Sequence, residues 1–278
     1  MHTDLINTTS GYAVPVRWFP AEQPRASIIF MPALGVAARF YVPLAENLHD
    51  AGFNVLLMEL RGQGDSHLRA SRRVDFGFRD ALEDDVPAAM DWVLRKAPAA
   101  PLLLMGHSLG GHYAAMTAGR LASRVDGVIL AACGSPWTKA FHGKTGAQLR
   151  MLCRLIPVLN ATFGYYPGHR VGFGGREART LMNDWLDLAR TNVYSARGLD
   201  EDFDAAIGQY AGPVLSLRMA DDPYAPEAAM AAVTDKFRQA VVSKHVITAE
   251  QIGDRADHFR WARKPEAVVD HILAWLPQ

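Results

Sequence analysis

Four short stretches of the chain are mainly apolar: residues 26–31, 53–60, 102–105 and 128–132. They are too short for stable helices and lack the polar alternation of a one-faced sheet, so they read as strands covered on both faces. Between them lie stretches of helical period. Residues 41–51 end at Gly52, and residues 79–97 carry Ala81, Val86, Met90, Val93 and Leu94 as an apolar stripe. From Leu109 onward Tyr113, Met116, Ala118 and Leu121 suit a buried helix. A hairpin-like stretch, residues 11–19, precedes them. Strand alternating with helix predicts an α/β fold with a mostly parallel central sheet flanked by helices.

The pattern breaks between about residues 134 and 212, where Gly143, Gly146, Pro157, Gly164, Pro167, Gly168, Gly172, Gly174 and Gly175 interrupt short helical pieces. Strand and helix signals resume at 213–220, 227–239, 241–248 and 265–276. The expected division is a core formed by 1–133 and 213–278, with 134–212 inserted as a helical cap.

The apolar run at 102–105 meets Gly106-His107-Ser108-Leu109-Gly110 and passes at once into a helix rich in small residues. A strand that becomes a helix within two or three residues must bend sharply, so the flanking residues have to be small. In such an elbow the central serine is held in a strained conformation with its hydroxyl exposed. Ser108 is therefore the candidate nucleophile. The five-residue pattern alone is degenerate; its position between strand and helix is what gives it weight.

With 278 residues, 49% hydrophobic, the chain can bury a full core. Lysine plus arginine equal aspartate plus glutamate at 29 each, so no net field favours nucleic acid or an acidic membrane. A small-molecule substrate is expected, with no nucleic-acid or membrane partner; a homodimer is compatible with this reading. The first residues lack a basic and an apolar signal region, and no apolar run approaches a membrane span, which predicts a cytoplasmic protein. Cys133 and Cys153 form neither a disulfide framework nor a metal-ligand spacing. No metal and no cofactor are expected. Arg61-Gly62-Gln63-Gly64-Asp65-Ser66 lacks the lysine of a phosphate loop and reads as a structural turn.

Pro32-Ala33-Leu34-Gly35, Arg61 to Ser66, Gly106 to Gly111, Gly164-Tyr165-Tyr166-Pro167-Gly168, Asp221-Asp222 and His258-Phe259-Arg260 together resemble the α/β-hydrolases. More narrowly they resemble a group of bacterial predicted serine hydrolases with a cap inserted after the sixth strand and no common assigned substrate. The resemblance implies an α/β-hydrolase fold and a catalytic serine, acid and histidine in that chain order. It points to Asp222 as the acid, because the family's acid usually precedes a loop proline by four positions, here Pro226; Asp221 is its competitor. His258 follows the last strand and precedes the last helix, where the family carries its base, although Asp257 stands where glycine is usual. His107, His112, His245 and His271 read as structural, while His142 and His169 lie in the cap. The oxyanion hole would be formed by the backbone N–H groups of Leu109 and, by position, Leu34. Substrate-binding residues stay unassigned: Trp137, Phe141, Phe163, Tyr165, Tyr166, Phe173 and Trp185 make the cap aromatic, and such stripes are more often core than pocket.

The expected function is that of a cofactor-independent, carboxylesterase-like serine hydrolase cleaving an ester of a small, moderately apolar substrate through an acyl-enzyme. Thioester or amide cleavage and acyl transfer are alternatives on the same scaffold, and a non-catalytic ligand-binding protein is the alternative from another class.

Overall fold

Along each central strand alternate residues go to opposite faces, and both faces are apolar. In a computed structural model, which describes residues 1–276, Ile28, Phe30, Val55, Leu57, Leu103, Met105 and Ile129 join one buried cluster, whereas Ile29, Met31, Leu56, Met58, Leu104 and Leu130 join another. Strands with no solvent face must be covered twice, and helices on both sides do this.

The strands are β1 (His2–Asn7), β2 (Ala13–Phe19), β3 (Ser27–Met31), β4 (Asn54–Met58), β5 (Leu102–His107), β6 (Gly127–Ala131), β7 (Tyr166–Pro167), β8 (Arg176–Glu177), β9 (Val214–Met219) and β10 (Val242–Ile247). The helices are α1 (Val42–Asp50), α2 (Phe78–Asp80), α3 (Val86–Lys96), α4 (Leu109–Arg120), α5 (Gly143–Phe163), α6 (Gly168–Val171), α7 (Arg179–Thr191), α8 (Phe203–Gln209), α9 (Glu227–Thr234), α10 (Ala249–Ile252) and α11 (Glu266–Trp275). Eight strands form one sheet in the order β1-β2-β4-β3-β5-β6-β9-β10. The β1/β2 and β2/β4 pairs are antiparallel and the others parallel. Helices α3 and α4 pack on one face and α1 and α11 on the other. The mostly parallel sheet flanked by helices is the fold the pattern predicted.

Several details differ from the sequence reading. Strand β1 was not anticipated, because five of its six side chains are exposed and carry no apolar period. The expected helix over 79–97 is divided by a wide π-type turn, Ala81–Asp85, ahead of α3. Pro87 is the cause: its ring cannot sit under the Glu83 carbonyl, so the turn opens. Helix α9 ends at Thr234, and Phe237 turns inward to meet the Tyr210 ring edge-on at 6.1 Å.

The largest difference lies in the segment expected as short interrupted pieces, where α5 runs unbroken for 21 residues through Gly146 and Pro157. Proline removes the donor that would bond the Cys153 carbonyl, and the Arg190 guanidinium supplies one instead at 3.4 Å. Gly146 is buried so closely against Phe141 that a side chain would collide with that residue's backbone. Cys153, Ile156, Tyr166, Met182 and Trp185 of this segment belong to the same apolar cluster as one face of the sheet.

The wide turn carries an ion cluster. Arg61 bonds Asp85 through Nε at 2.8 Å and meets Asp84 at 2.6 Å and Asp80 at 3.1 Å, with its guanidinium over the Tyr12 ring. One cation faces three carboxylates. Burial raises the Asp85 carboxyl to about 7; Arg61 opposes the shift, and the charges of Asp84 and Asp80 add to it. A carboxyl whose folded pKa lies above its unfolded value of about 3.9 binds more protons in the native state between those limits. The Asp85 contribution to stability is therefore expected to fall as pH rises from about 4 to 7, against the opposite slope of the buried, neutral His107 and His112. Asp85→Asn should reduce that slope in urea titrations, while Asp184 and Glu177, also raised by burial, keep part of it. An unchanged slope in the variant would show that Asp85 does not titrate in this window.

Candidate active site

Ser108 sits between β5 and α4 at φ 52°, ψ −114°, an unfavourable conformation for a residue with a side chain. Its amide donates to the Ala131 carbonyl at 3.2 Å, and its own carbonyl accepts from Gly111 at 2.9 Å. The bend requires both flanking glycines. A Cβ on Gly106 would lie 2.1 Å from the Gly110 backbone, and one on Gly110 would lie 2.0 Å from the Met31 carbonyl oxygen. The serine is only partly covered, while every residue of β5 before it is buried.

His258 and Asp222 come together across two loops. His258 Nδ1 donates to Asp222 Oδ2 at 2.6 Å, and Asp222 Oδ1 accepts from the Tyr224 amide at 2.8 Å. The Asp222 side chain is fully buried. Asp221 faces elsewhere: its Oδ2 accepts from Ala256 at 3.1 Å and its amide donates to the Ala256 carbonyl at 2.9 Å, which ties the two loops together. Asp257, at the position where glycine was expected, accepts from the amides of Phe259 and Arg260 at the entry to the turn Arg260–Ala262. Trp261 Nε1 holds the His258 carbonyl at 2.9 Å.

His107 links Ser108 to His258. Its ring stands 4.5 Å from the His258 ring, centroid to centroid, and its Nδ1 lies 2.7 Å from the Tyr41 hydroxyl. That hydroxyl also accepts from the Ala33 amide at 3.2 Å. Burial keeps Tyr41 protonated, so its hydroxyl and His107 Nδ1 share one hydrogen bond, while His107 Nε2 is buried beside the His258 backbone. Burial, with the neighbouring His258 adding to it, holds His107 far below the usual imidazole range, and the ring stays neutral.

The Ala33 amide being engaged, the next one, Leu34, is available in the turn closed by Val36 N–H to Ala33 C=O at 3.1 Å. Among the described residues neither the Leu34 nor the Leu109 amide donates a hydrogen bond within the chain. Leu109 is the first residue of α4, where amides have no helical partner and the helix dipole is positive. The β7–β8 hairpin reaches this turn. Gly35, at φ 76°, approaches Gly175 so closely that a Cβ would lie 2.6 Å from the Gly175 nitrogen. Glu177, wholly buried, accepts from the Gly175 amide and from Gln63 Nε2, each at 2.6 Å. Burial raises its carboxyl above the usual range, against the pull of those two donors.

Sequence assigned no role at the site to the side chains of Tyr41, Ala33, Gln63 or Glu177. Each is an unremarkable residue whose role comes from a contact with a distant segment. The other histidines weighed from sequence are placed elsewhere: His112 Nδ1 bonds the Tyr194 hydroxyl at 2.6 Å, the His245 and His271 rings pack at 4.7 Å with a tilt of 37°, and His142 and His169 are exposed. Of the seven aromatics named from sequence between residues 134 and 212, Phe141, Tyr166 and Trp185 are buried and Phe173 packs on Trp185 at 5.2 Å. A surface depression of about 650 Å³ lined by Leu82, Arg120, Arg124 and Glu201 contains none of the candidate site residues. Among the described residues no cluster of three or more histidine, cysteine or acidic side chains could hold a metal, and no helix is long and apolar enough to cross a membrane.

The model of the hydrolase family described as serine aminopeptidase, S33, matches residues 22–177, 156 of the 278. The chain belongs to that family. It is thus a hydrolase with the α/β-hydrolase fold, and the matched span contains the Leu34 turn and the Ser108 elbow. A human relative, Protein ABHD12B, is 30% identical over 124 residues, which are 44% of this chain and 32% of the human protein. The chain therefore aligns with about a third of that relative's length. Among solved structures, DcsB in complex with its substrate analogue superposes with a TM-score of 0.68 at 16% identity, covering 99% of this chain and 97% of the other. Est1E of Butyrivibrio proteoclasticus with ferulic acid bound gives 0.65 at 15% identity, covering 98% of each chain. A hydrolase of Pseudomonas aeruginosa PA01 gives 0.64 at 16%, covering 100% and 99%. At these identities the likeness is one of fold.

Proposed function

We propose that this S33-family hydrolase is a cofactor-independent serine hydrolase that cleaves a carboxylic ester of a small, moderately apolar substrate through an acyl-enzyme. The observation that carries the reading is the 2.6 Å contact between Asp222 and His258, whose ring packs against the residue preceding a strained serine. A serine hydroxyl is a weak nucleophile until a base removes its proton, and the base needs a third group to fix its tautomer. In this mechanism Asp222 holds the Nδ1 proton of His258, which leaves Nε2 to accept the proton of Ser108. The hydroxyl oxygen attacks the ester carbonyl, and the Leu34 and Leu109 amides stabilise the oxyanion. His258 then protonates the leaving alcohol, and water releases the acyl group by the same steps. Residues 134–212 act as a cap that shapes the substrate side of the site.

An amide substrate is the second reading, favoured by the aminopeptidase description of the family. Both are tested with p-nitrophenyl esters of increasing chain length beside aminoacyl p-nitroanilides. Turnover of the esters at far higher kcat/KM supports the first; turnover of the anilides alone overturns it.

Tyr41→Phe provides a narrower test. It strands the Ala33 amide and His107 Nδ1, both buried, which should cost about 1–3 kcal/mol of stability. The amide next in sequence, at Leu34, then loses its support, so kcat is expected to fall by up to about 10²-fold with KM little changed. A stability loss with unchanged kcat would separate the Tyr41 contact from the oxyanion site.

A further inference from the structure

Helix α5 turns Gly146, Cys153, Ile156 and Asn160 inward, and its opposite face carries Met151, Leu155 and Val158 at a spacing of four and three residues. These three are 61%, 37% and 59% exposed, and they line up on one ridge. Lys144 continues the ridge toward the helix start, and Arg150 and Arg154 flank it; all three are exposed. No acidic residue occurs between positions 143 and 163. At the far end Arg170 lies over the Phe163 ring at 5.6 Å, beside Val171, which is 42% exposed. Among the described residues none of these four cations has an ion-pair partner, whereas acids of the neighbouring α7 do: Asp187 pairs with Arg197 at 2.5 Å. The balance of 29 against 29 charges thus conceals a local excess of four positive charges around an aliphatic stripe.

We propose that this face of α5 docks on an anionic lipid bilayer surface. A helix lying in the interface immerses its aliphatic residues at the acyl boundary, while lysine and arginine stems follow the apolar surface and their charged ends reach the phosphates. The local charge complements phosphate-bearing headgroups, and the ridge is aliphatic rather than aromatic. A second copy of the chain is a poor occupant, because a two-fold contact through α5 would bring four cations against four. A nucleic acid would leave the central aliphatic stripe without a partner. The inference is independent of the chemistry at Ser108.

The test uses the full chain and vesicles of phosphatidylcholine with or without phosphatidylglycerol, read by co-sedimentation. Binding is expected to the anionic vesicles and to weaken as salt is added. Lys144→Gln, Arg150→Gln and Arg154→Gln combined should lower partitioning by about a hundredfold, at roughly one headgroup interaction per cation. Met151→Ser, at a side chain 61% exposed, should lower it again with little change in the thermal midpoint. Absence of binding, equal binding to neutral and anionic vesicles, or an unaffected triple variant would overturn the proposal. So would a dimer in solution that Leu155→Glu converts to monomer without any vesicle binding, which would make the face a subunit contact.

Discussion

Ser108→Ala is expected to lower ester turnover by about 10⁶-fold while the protein remains folded. The magnitude follows from the loss of a nucleophile that acts as a unit with its base, where removal of one member costs about as much as removal of all. Alanine fills the same space between β5 and α4, and the bonds that shape the elbow are backbone bonds from Ser108 to Ala131 and Gly111. Neither depends on the hydroxyl. The strain at φ 52° is a property of any residue bearing a Cβ, so alanine inherits it. Ser108→Gly should be equally inactive yet more stable, by about 1 kcal/mol, because glycine takes positive φ without that penalty. Kinetics on a p-nitrophenyl ester and urea midpoints of the three proteins read both effects. Retention of activity in Ser108→Ala with an unchanged midpoint would remove Ser108 from the mechanism.

The parallel sheet was legible because β3 to β6 are buried on both faces and hence almost wholly apolar in sequence. The elbow was legible for a local reason too: Gly106 and Gly110 are there because neighbouring backbone lies within about 2 Å of where a Cβ would be. Helix α5 was not legible, because the residue that completes it at Pro157 is Arg190, 33 positions further along the chain. The sequence shows the missing donor and not its replacement. Strand β1 was hidden for the opposite reason, since an edge strand with exposed side chains has no hydrophobic period to display. The same limit applies around the candidate site. Pro32-Ala33-Leu34-Gly35 is legible only as part of a resemblance, whereas the support for that turn comes from Tyr41, which also bonds the histidine beside Ser108.

Asp222→Asn is expected to lower turnover by up to about 10⁴-fold, and Asp221→Asn to leave kcat nearly unchanged. An asparagine at 222 still fills the buried site and can still accept from the Tyr224 amide. Its NH₂ group, however, donates toward His258 Nδ1 if it faces the ring, and the imidazole then carries its proton on Nε2. That tautomer cannot take a proton from Ser108. The developing imidazolium also loses the carboxylate charge that stabilises it at 2.6 Å. Asp221 has a different task, because its carboxylate accepts from the Ala256 backbone and holds the acid loop to the histidine loop. An amide oxygen at 221 can accept the same bond, so the change should be read in stability, at about 1 kcal/mol, rather than in chemistry. The two variants differ at adjacent positions and both remove one negative charge, which controls for the general electrostatic effect. Comparing kcat and urea midpoints for the pair therefore separates orientation of the base from support of the loop. A large loss of kcat in Asp221→Asn with a mild one in Asp222→Asn would reverse the assignment, since the 2.6 Å contact would then not be the one that sets the histidine tautomer.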